Sequence, residues 1–422
     1  MEQLHYPQVD EQVYRTTLPN GLTVLVVPRP GFQKKLCYLA VDYGSIHRTC
    51  TVDGALLDVP MGIAHYLEHK LFDMPGRDVS AEFAELGGFP NAFTGYDMTA
   101  YYFHCTDHFE ACLKLLLEFV ATPYFTEETV EKERGIILQE ILMNKDNPDT
   151  VIFEQQAEAM YKNHPVREPI LGTEESVKAI TPQLLTVCHR AFYHPGNMLL
   201  CVVGDVDPAQ VAEIARQQLP DTKPPEVQKP RQWPEKLLPE KPLVRCAMEV
   251  AMPTFQLSFK SHDPGFGESS VRTELIGELA AEMLFGESSP LYMKLYDEGL
   301  IDSSFGGGFD TMEGLSMLTA GGDSDDPEAV RQAILDYGRV LTRDGIPEAD
   351  FLRMKRSAVG RRVRGMDSFD SLCFRLCAYH FSGFDYFRLP ELYAHISRED
   401  VRVFIEDVVT EDRCCLSIID PL

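Results

Sequence analysis

Seven prolines fall between Pro220 and Pro242 (Pro220, Pro224, Pro225, Pro230, Pro234, Pro239 and Pro242), interleaved with Lys and Glu. Proline fixes φ and donates no backbone hydrogen bond, so this stretch can be neither a helix interior nor a central strand. Residues 220–242 read as an extended linker that divides the chain into two halves. The flanking segments, 1–219 and 243–422, are each of domain size.

The two segments are patterned alike. Each opens on a strand-like run, Gly21 to Val27 in the first and Gln256 to Phe259 in the second. Each continues with an amphipathic helical stretch, Ile63 to Phe72 and Leu275 to Phe285, and closes on a strand, Met198 to Val203 and Cys415 to Ile419. This predicts an α+β fold of two similar domains, each an antiparallel-rich sheet flanked by helices, related by duplication. Leu115 to Val120 reads as a core helix, and Gly306-Gly307-Gly308 as a turn, because it lacks the Lys-Ser/Thr of a phosphate-binding loop.

Charge narrows the function. The chain carries 65 acidic against 39 basic residues, a net charge of −26. Phosphate backbones and anionic lipid are held by clustered Lys and Arg, so neither nucleic acid nor a membrane surface is an expected partner. A cationic partner or substrate remains compatible. No apolar run approaches the roughly 18 residues of a membrane span. Met1-Glu2-Gln3-Leu4-His5 carries no basic region followed by an apolar stretch, so no export signal is expected. Eleven scattered cysteines without scaffold spacing read as reduced and mostly buried, as in a cytoplasmic protein.

The sharpest chemical signal is His65-Tyr66-Leu67-Glu68-His69. Ile63, Leu67 and Leu71 recur at i, i+4 and i+8, so the surrounding segment is a helix that ends before Pro75-Gly76. His65 and His69 then stack on one side of it, roughly opposite the apolar stripe, and can share a metal ion. Zinc held by two His and one carboxylate keeps one position for water, whose pKa falls to roughly 7 in such sites. Glu68 stands where a carboxylate can take the proton of that water and later pass it to a leaving amine. A third ligand is expected from the helical stretch Thr126 to about Asn144, which carries Glu127 and Glu128 in its first turn. Glu133 and Glu140 lie two turns apart on it and face the same way, so either can ligate while the other supports the site. His104 and His108 are also four apart, but they flank a strand-to-helix junction and do not read as a second metal site.

These motifs, in this order, resemble peptidase family M16, the pitrilysin or insulinase family. The inverted motif His65 to His69 is followed by Lys70-Leu71-Phe72, and Leu18-Pro19-Asn20-Gly21-Leu22 looks like the family's opening strand. Gly87-Gly88-Phe89-Pro90-Asn91-Ala92-Phe93-Thr94 is similar to its G-G-x-x-N-A-x-T segment. Glu131 to Glu140 resembles the helix bearing the distal glutamate, and His194 to Asp205 the strand that closes the first domain. The resemblance implies one zinc ion per chain on His65, His69 and Glu140, with Glu68 as catalytic base and Glu133 as a supporting catalytic glutamate. It also implies a peptide substrate that adds a strand to a sheet edge at Asn91, Ala92, Phe93 and Thr94.

The second half departs from the family pattern. Where family members carry an Arg and, seven residues later, a Tyr that clamp substrate, this chain has Tyr296 in place of the Arg and Asp302 near the Tyr position, with Lys294 as a weaker cationic substitute. Zinc ligands without the clamp suggest one half of a two-part enclosure. The implied assembly is a heterodimer with a non-catalytic paralogue, or a homodimer. The resemblance therefore implies a zinc endopeptidase for unfolded peptides or one dedicated small substrate. The alternative is a non-catalytic scaffold subunit, which intact ligands argue against.

Overall fold

The computed structural model describes residues 1–219, 221 and 224–422; Pro220, the first residue of the expected linker, lies outside them with Thr222 and Lys223. Seven strands of the first half build its main sheet: β1 (Glu2–Tyr6), β2 (Glu11–Thr17), β3 (Thr23–Pro28), β4 (Lys35–Val41), β5 (Phe89–Thr94), β6 (Thr99–Cys105) and β7 (Met198–Gly204). They form one sheet in the order β1-β2-β3-β7-β4-β6-β5. β7 runs parallel to β3 and antiparallel to β4. The central strands are Val/Leu-rich and buried on both faces, as a covered sheet requires. Val24, Val26, Leu39, Val41, Leu200 and Val202 face the first half's own helices. Leu25, Val27, Leu36, Tyr38, Leu199 and Cys201 point the other way, into a core shared with the second half.

That second half repeats the plan. Its strands β8 (Leu243–Met248), β9 (Thr254–Lys260), β10 (Gly306–Met312), β11 (Leu315–Asp323) and β12 (Cys414–Pro421) are ordered β8-β12-β9-β11-β10. Here too the closing strand, β12, is parallel to β8 and antiparallel to β9. β8, β12, β9, β11 and β10 thus match β3, β7, β4, β6 and β5 in order and sense, which is the internal duplication at the level of the backbone. Both halves mix helices and sheets, an α+β fold.

One expectation fails. Gly306-Gly307-Gly308 is no turn but the start of the edge strand β10. A Cβ on Gly307 would lie 2.3 Å from the Phe285 ring, so glycine lets the strand approach the helix packed on it.

The halves are joined by an exchange of helices. The main helices needed here are α1 (Ile63–Leu71), α2 (Glu127–Lys145), α3 (Pro148–Met160), α4 (Glu268–Phe285), α5 (Glu348–Gly365) and α6 (Phe369–Phe381). α6 of the second half lies on β4 and β7, and α3 of the first half lies on β9 and β12. The first contact is apolar and thiol-lined, with Cys201 Sγ 3.9 Å from Cys373 Sγ. The second is polar: Gln155 Nε2 donates to Ser417 Oγ at 2.7 Å, and Gln156 Nε2 to the Gln256 and Cys415 carbonyls at 3.0 Å. All eleven cysteines are free, ten of them buried. Among the described residues no helix is long and apolar enough to cross a membrane.

From residue 224 onward the proline-rich segment is tied down. Val227–Gln228 pairs with the strand Thr49–Val52, and Trp233 lies edge-on to His164 at 4.4 Å. Glu235 accepts backbone N–H bonds from Lys162 and His164 in the first half, and pairs with Lys260 of the second at 3.1 Å. A single carboxylate therefore bridges both halves.

In the second half, α4 faces α5 through a charged cluster. Arg362 pairs with Glu274 at 2.6 Å and Glu278 at 3.0 Å, while Tyr379 and Tyr393 each donate to one of these carboxylates at 2.6 Å. The three charged side chains are only 11%, 18% and 23% exposed, so each carboxylate depends on the guanidinium as counter-charge. Arg362→Leu should lower the unfolding free energy, read by urea denaturation, by about 3–5 kcal/mol, and a loss below about 1 kcal/mol would make the cluster dispensable.

Candidate metal centre

α1 is set by its entry. Gly62, at φ +86°, turns the chain into the helix, and a Cβ there would lie 2.3 Å from the Leu171 carbonyl oxygen. That left-handed turn and close approach admit glycine alone without strain. Ile63, Leu67 and Leu71 join the first core as their spacing predicts. The opposite side is not a solvated face, however. His65 and Glu68 are 6% and 9% exposed, because α2 and β5 cover it. α2 begins at the N-cap Thr126, whose hydroxyl accepts from the Thr129 N–H, and buries Val130, Ile137 and Ile141. The Tyr66 hydroxyl donates to the Val130 carbonyl and ties the two helices together.

Across this contact, donors from both helices converge. Glu140 Oε2 lies 3.6 Å from His65 Nε2 and 3.6 Å from His69 Nε2. The ligand atoms of these three residues all lie within 4.8 Å of one another. Donors bound to a tetrahedral zinc ion at about 2.0–2.2 Å stand about 3.3–3.6 Å apart, so the spacing suits such an ion and is too long for hydrogen bonding. Among the described residues this is the one group of three or more His, Cys, Asp or Glu so placed.

The surrounding bonds leave the right atoms free. Glu133 Oε1 meets His69 Nδ1 at 2.9 Å, which fixes the ring and leaves Nε2 pointing at Glu140. His65 has no such support: its Nδ1 is buried without a hydrogen-bond partner, and packing alone holds the ring. Burial, then the neighbouring charge of His69, pushes the His65 pKa down to about 3, so at neutral pH the ring is in the unprotonated form that ligates. For His69 burial also disfavours the proton, but the Glu133 hydrogen bond and the Glu68, Glu133 and Glu140 charges outweigh it and raise the pKa. Burial raises the Glu68 carboxyl above the ordinary range, opposed by a 2.7 Å hydrogen bond from Thr94 Oγ1. A glutamate so placed exchanges protons more readily near neutrality than an exposed one.

Thr94 ends β5, the outermost strand of its sheet, paired only with β6. The Gly95 N–H bonds back to the Met98 carbonyl, so by alternation Phe93 and Asn91 also pair inward. Ala92 and Thr94 turn their backbone groups to the open edge. The Asn91 side chain folds over that edge and accepts the Ala92 N–H at 2.8 Å. Phe93 points to the sheet's other face, where its ring lies 5.7 Å from that of Phe374.

The remaining sequence candidates stay apart from this group. Tyr296 stacks on Tyr292, Lys294 lies 3.9 Å from Glu298, and Asp302 accepts the Ser304 N–H. His104 pairs with Asp370 at 2.9 Å, and His108 is the N-cap of the helix Phe109–Ala121. The Thr94 hydroxyl contact with Glu68 was not read from the sequence. Its one trace is parity, since Ala92 and Thr94 share a strand face.

Comparison with known proteins gives the family. Residues 35–174 match the family described as insulinase (peptidase family M16), and residues 179–358 the peptidase M16 inactive domain. An uncharacterized zinc protease of Bacillus subtilis, YmfH, is 36% identical over 99% of both chains. One from Streptomyces coelicolor is 27% identical over 97% of this chain and 90% of its own. Among solved structures, a putative M16-like peptidase from Alicyclobacillus acidocaldarius superposes with a TM-score of 0.93 at 31% identity, covering 98% of this chain and 99% of that one. Pitrilysin, at 18% identity and a TM-score of 0.79, shares the fold, with 99% of this chain matching 46% of its length. With similarity to relatives and solved structures running nearly end to end, the chain belongs to the insulinase family, peptidase family M16.

Proposed function

We propose that this chain is a zinc-dependent endopeptidase acting on extended, unfolded peptide. In this reading His65, His69 and Glu140 hold the ion, and domain 1–219 is catalytic. Domain 243–422, joined through linker 220–242, carries no metal. Zinc in such a site polarises a carbonyl and makes water a stronger acid. Glu68 accepts the proton of the attacking water and returns it to the leaving amine. Glu133 keeps His69 oriented and in one tautomer. The open edge at Ala92 and Thr94 receives the substrate backbone as an added strand, with Asn91 and Phe93 flanking it. The observation that carries the reading is the convergence of donors from two helices 3.6 Å apart, beside a buried glutamate and a free sheet edge.

The working form in this proposal is a cytoplasmic heterodimer with a paralogue that lacks zinc ligands and supplies the missing Arg/Tyr clamp. The match to about half of pitrilysin's length supports it. A non-catalytic scaffold is the second reading, favoured by the inactive-domain match over 179–358. Metal analysis separates the two, because a scaffold should carry no stoichiometric zinc.

Glu68→Gln should keep zinc and lose peptide hydrolysis; a variant with full activity would remove Glu68 from the base role. Glu133→Gln should weaken zinc affinity about 10–100-fold in chelator competition, since it loosens His69 without removing a ligand. Unchanged affinity would show that His69 is held by packing alone. Co-purification from the native cell should recover the paralogue, and recovery of the chain as an active monomer would count against the heterodimer.

A further inference from the structure

Thr94 occupies an unusual crossing point. Its backbone belongs to the outward-facing set on the open edge of β5, while its side chain turns to the α1 face of the sheet and donates to Glu68 Oε2 at 2.7 Å. Glu68 is 9% exposed, and Thr94 is the one hydrogen-bond partner of its carboxylate among the described residues. Glu68 Oε1 is then the oxygen left to face the reacting groups. Two torsions separate the glutamate carboxylate from its β-carbon, so without an anchor on one oxygen its direction is set only by packing.

We propose that the Thr94 hydroxyl is a positioning residue for Glu68, and that through it the edge strand and the proton-transferring carboxylate move as one unit. The inference deepens the peptidase reading above. A peptide strand bonded to the Thr94 backbone is thereby placed in register with the carboxylate, since one residue sets both. A threonine suits the task because its β-branched side chain restricts χ1 and its hydroxyl donates in a fixed direction. Valine keeps the branch and volume but removes the donor; serine keeps the donor and loses the methyl.

Two measurements test this on the full-length protein. In steady-state hydrolysis of an unstructured fluorogenic peptide, Thr94→Val should lower kcat about tenfold to a hundredfold with KM nearly unchanged, and Thr94→Ser should recover most of the loss. In thermal melting of the chelator-treated protein, Thr94→Val should lower Tm by a few degrees, and the drop should vanish in a Glu68→Ala background. A Thr94→Val enzyme with unaltered kcat, or equal Tm drops with and without Glu68, overturns the proposal. The melting cycle needs no turnover and decides on Thr94 by itself, whereas activity of Glu68→Gln bears on the peptidase reading alone.

Discussion

The burial of α1 on nearly every side is the constraint from which the site follows. A helix carrying two histidines and a glutamate on one side within five residues would ordinarily turn that side to water. Here α2 and β5 cover it, and each buried polar group then needs a partner. Lys70 has Asp73, Glu68 has Thr94, and His69 Nδ1 has Glu133. The two Nε2 atoms and Glu140 are left facing one another at a spacing that suits a shared cation. The candidate metal centre is thus what remains on this side of the helix once Glu68 and His69 Nδ1 are matched, with His65 Nδ1 held by packing alone.

The duplication sharpens this. In both halves a helix after the second core strand packs on one that follows two more strands: α1 on α2, α4 on α5. In the first half that contact holds imidazoles at i, i+4 opposite carboxylates. In the second, Glu274 and Glu278, also four apart, face Arg362. Guanidinium is a cation fixed by the chain itself, always charged and able to serve two carboxylates at once. The second half thus satisfies the same kind of inter-helix contact without an ion, which accounts for one half bearing a candidate metal site and the other none.

Much of this was legible in the sequence, for reasons that differ by feature. The i, i+4, i+8 spacing of Ile63, Leu67 and Leu71 predicts α1, and the spacing of Glu133 and Glu140 predicts a common face on α2, because helical period alone decides such questions. Which glutamate faces the two Nε2 atoms was not decidable from period, since both share the face; it depends on the crossing of α1 over α2, a tertiary quantity. The halves look alike in sequence only in outline, yet their strand orders correspond because sheet order reflects connectivity, not residue identity. The turn expected at Gly306 to Gly308 is a strand because Phe285 demands close approach, a contact with a residue more than twenty positions away. The attachment of the proline run through Glu235 and Trp233 to both halves depends on long-range partners that no local pattern encodes.

The free edge at β5 raises a problem of its own, since an unpaired strand invites any extended chain. This edge is blunted residue by residue. By the same alternation Pro90 faces outward, and it has no N–H to offer. The outward N–H of Ala92 is already bonded to the Asn91 side chain. An incoming strand must displace that amide to pair at Ala92, and beyond it the next outward group belongs to Thr94, which is bonded to Glu68. Strand addition as proposed is thus confined to a span of three residues, where the edge meets the buried carboxylate. A longer, unguarded edge would bind peptide in several registers, most of them out of reach of Glu68. Under the proposed function, keeping the edge short and self-capped favours the register in which backbone recognition and proton transfer coincide.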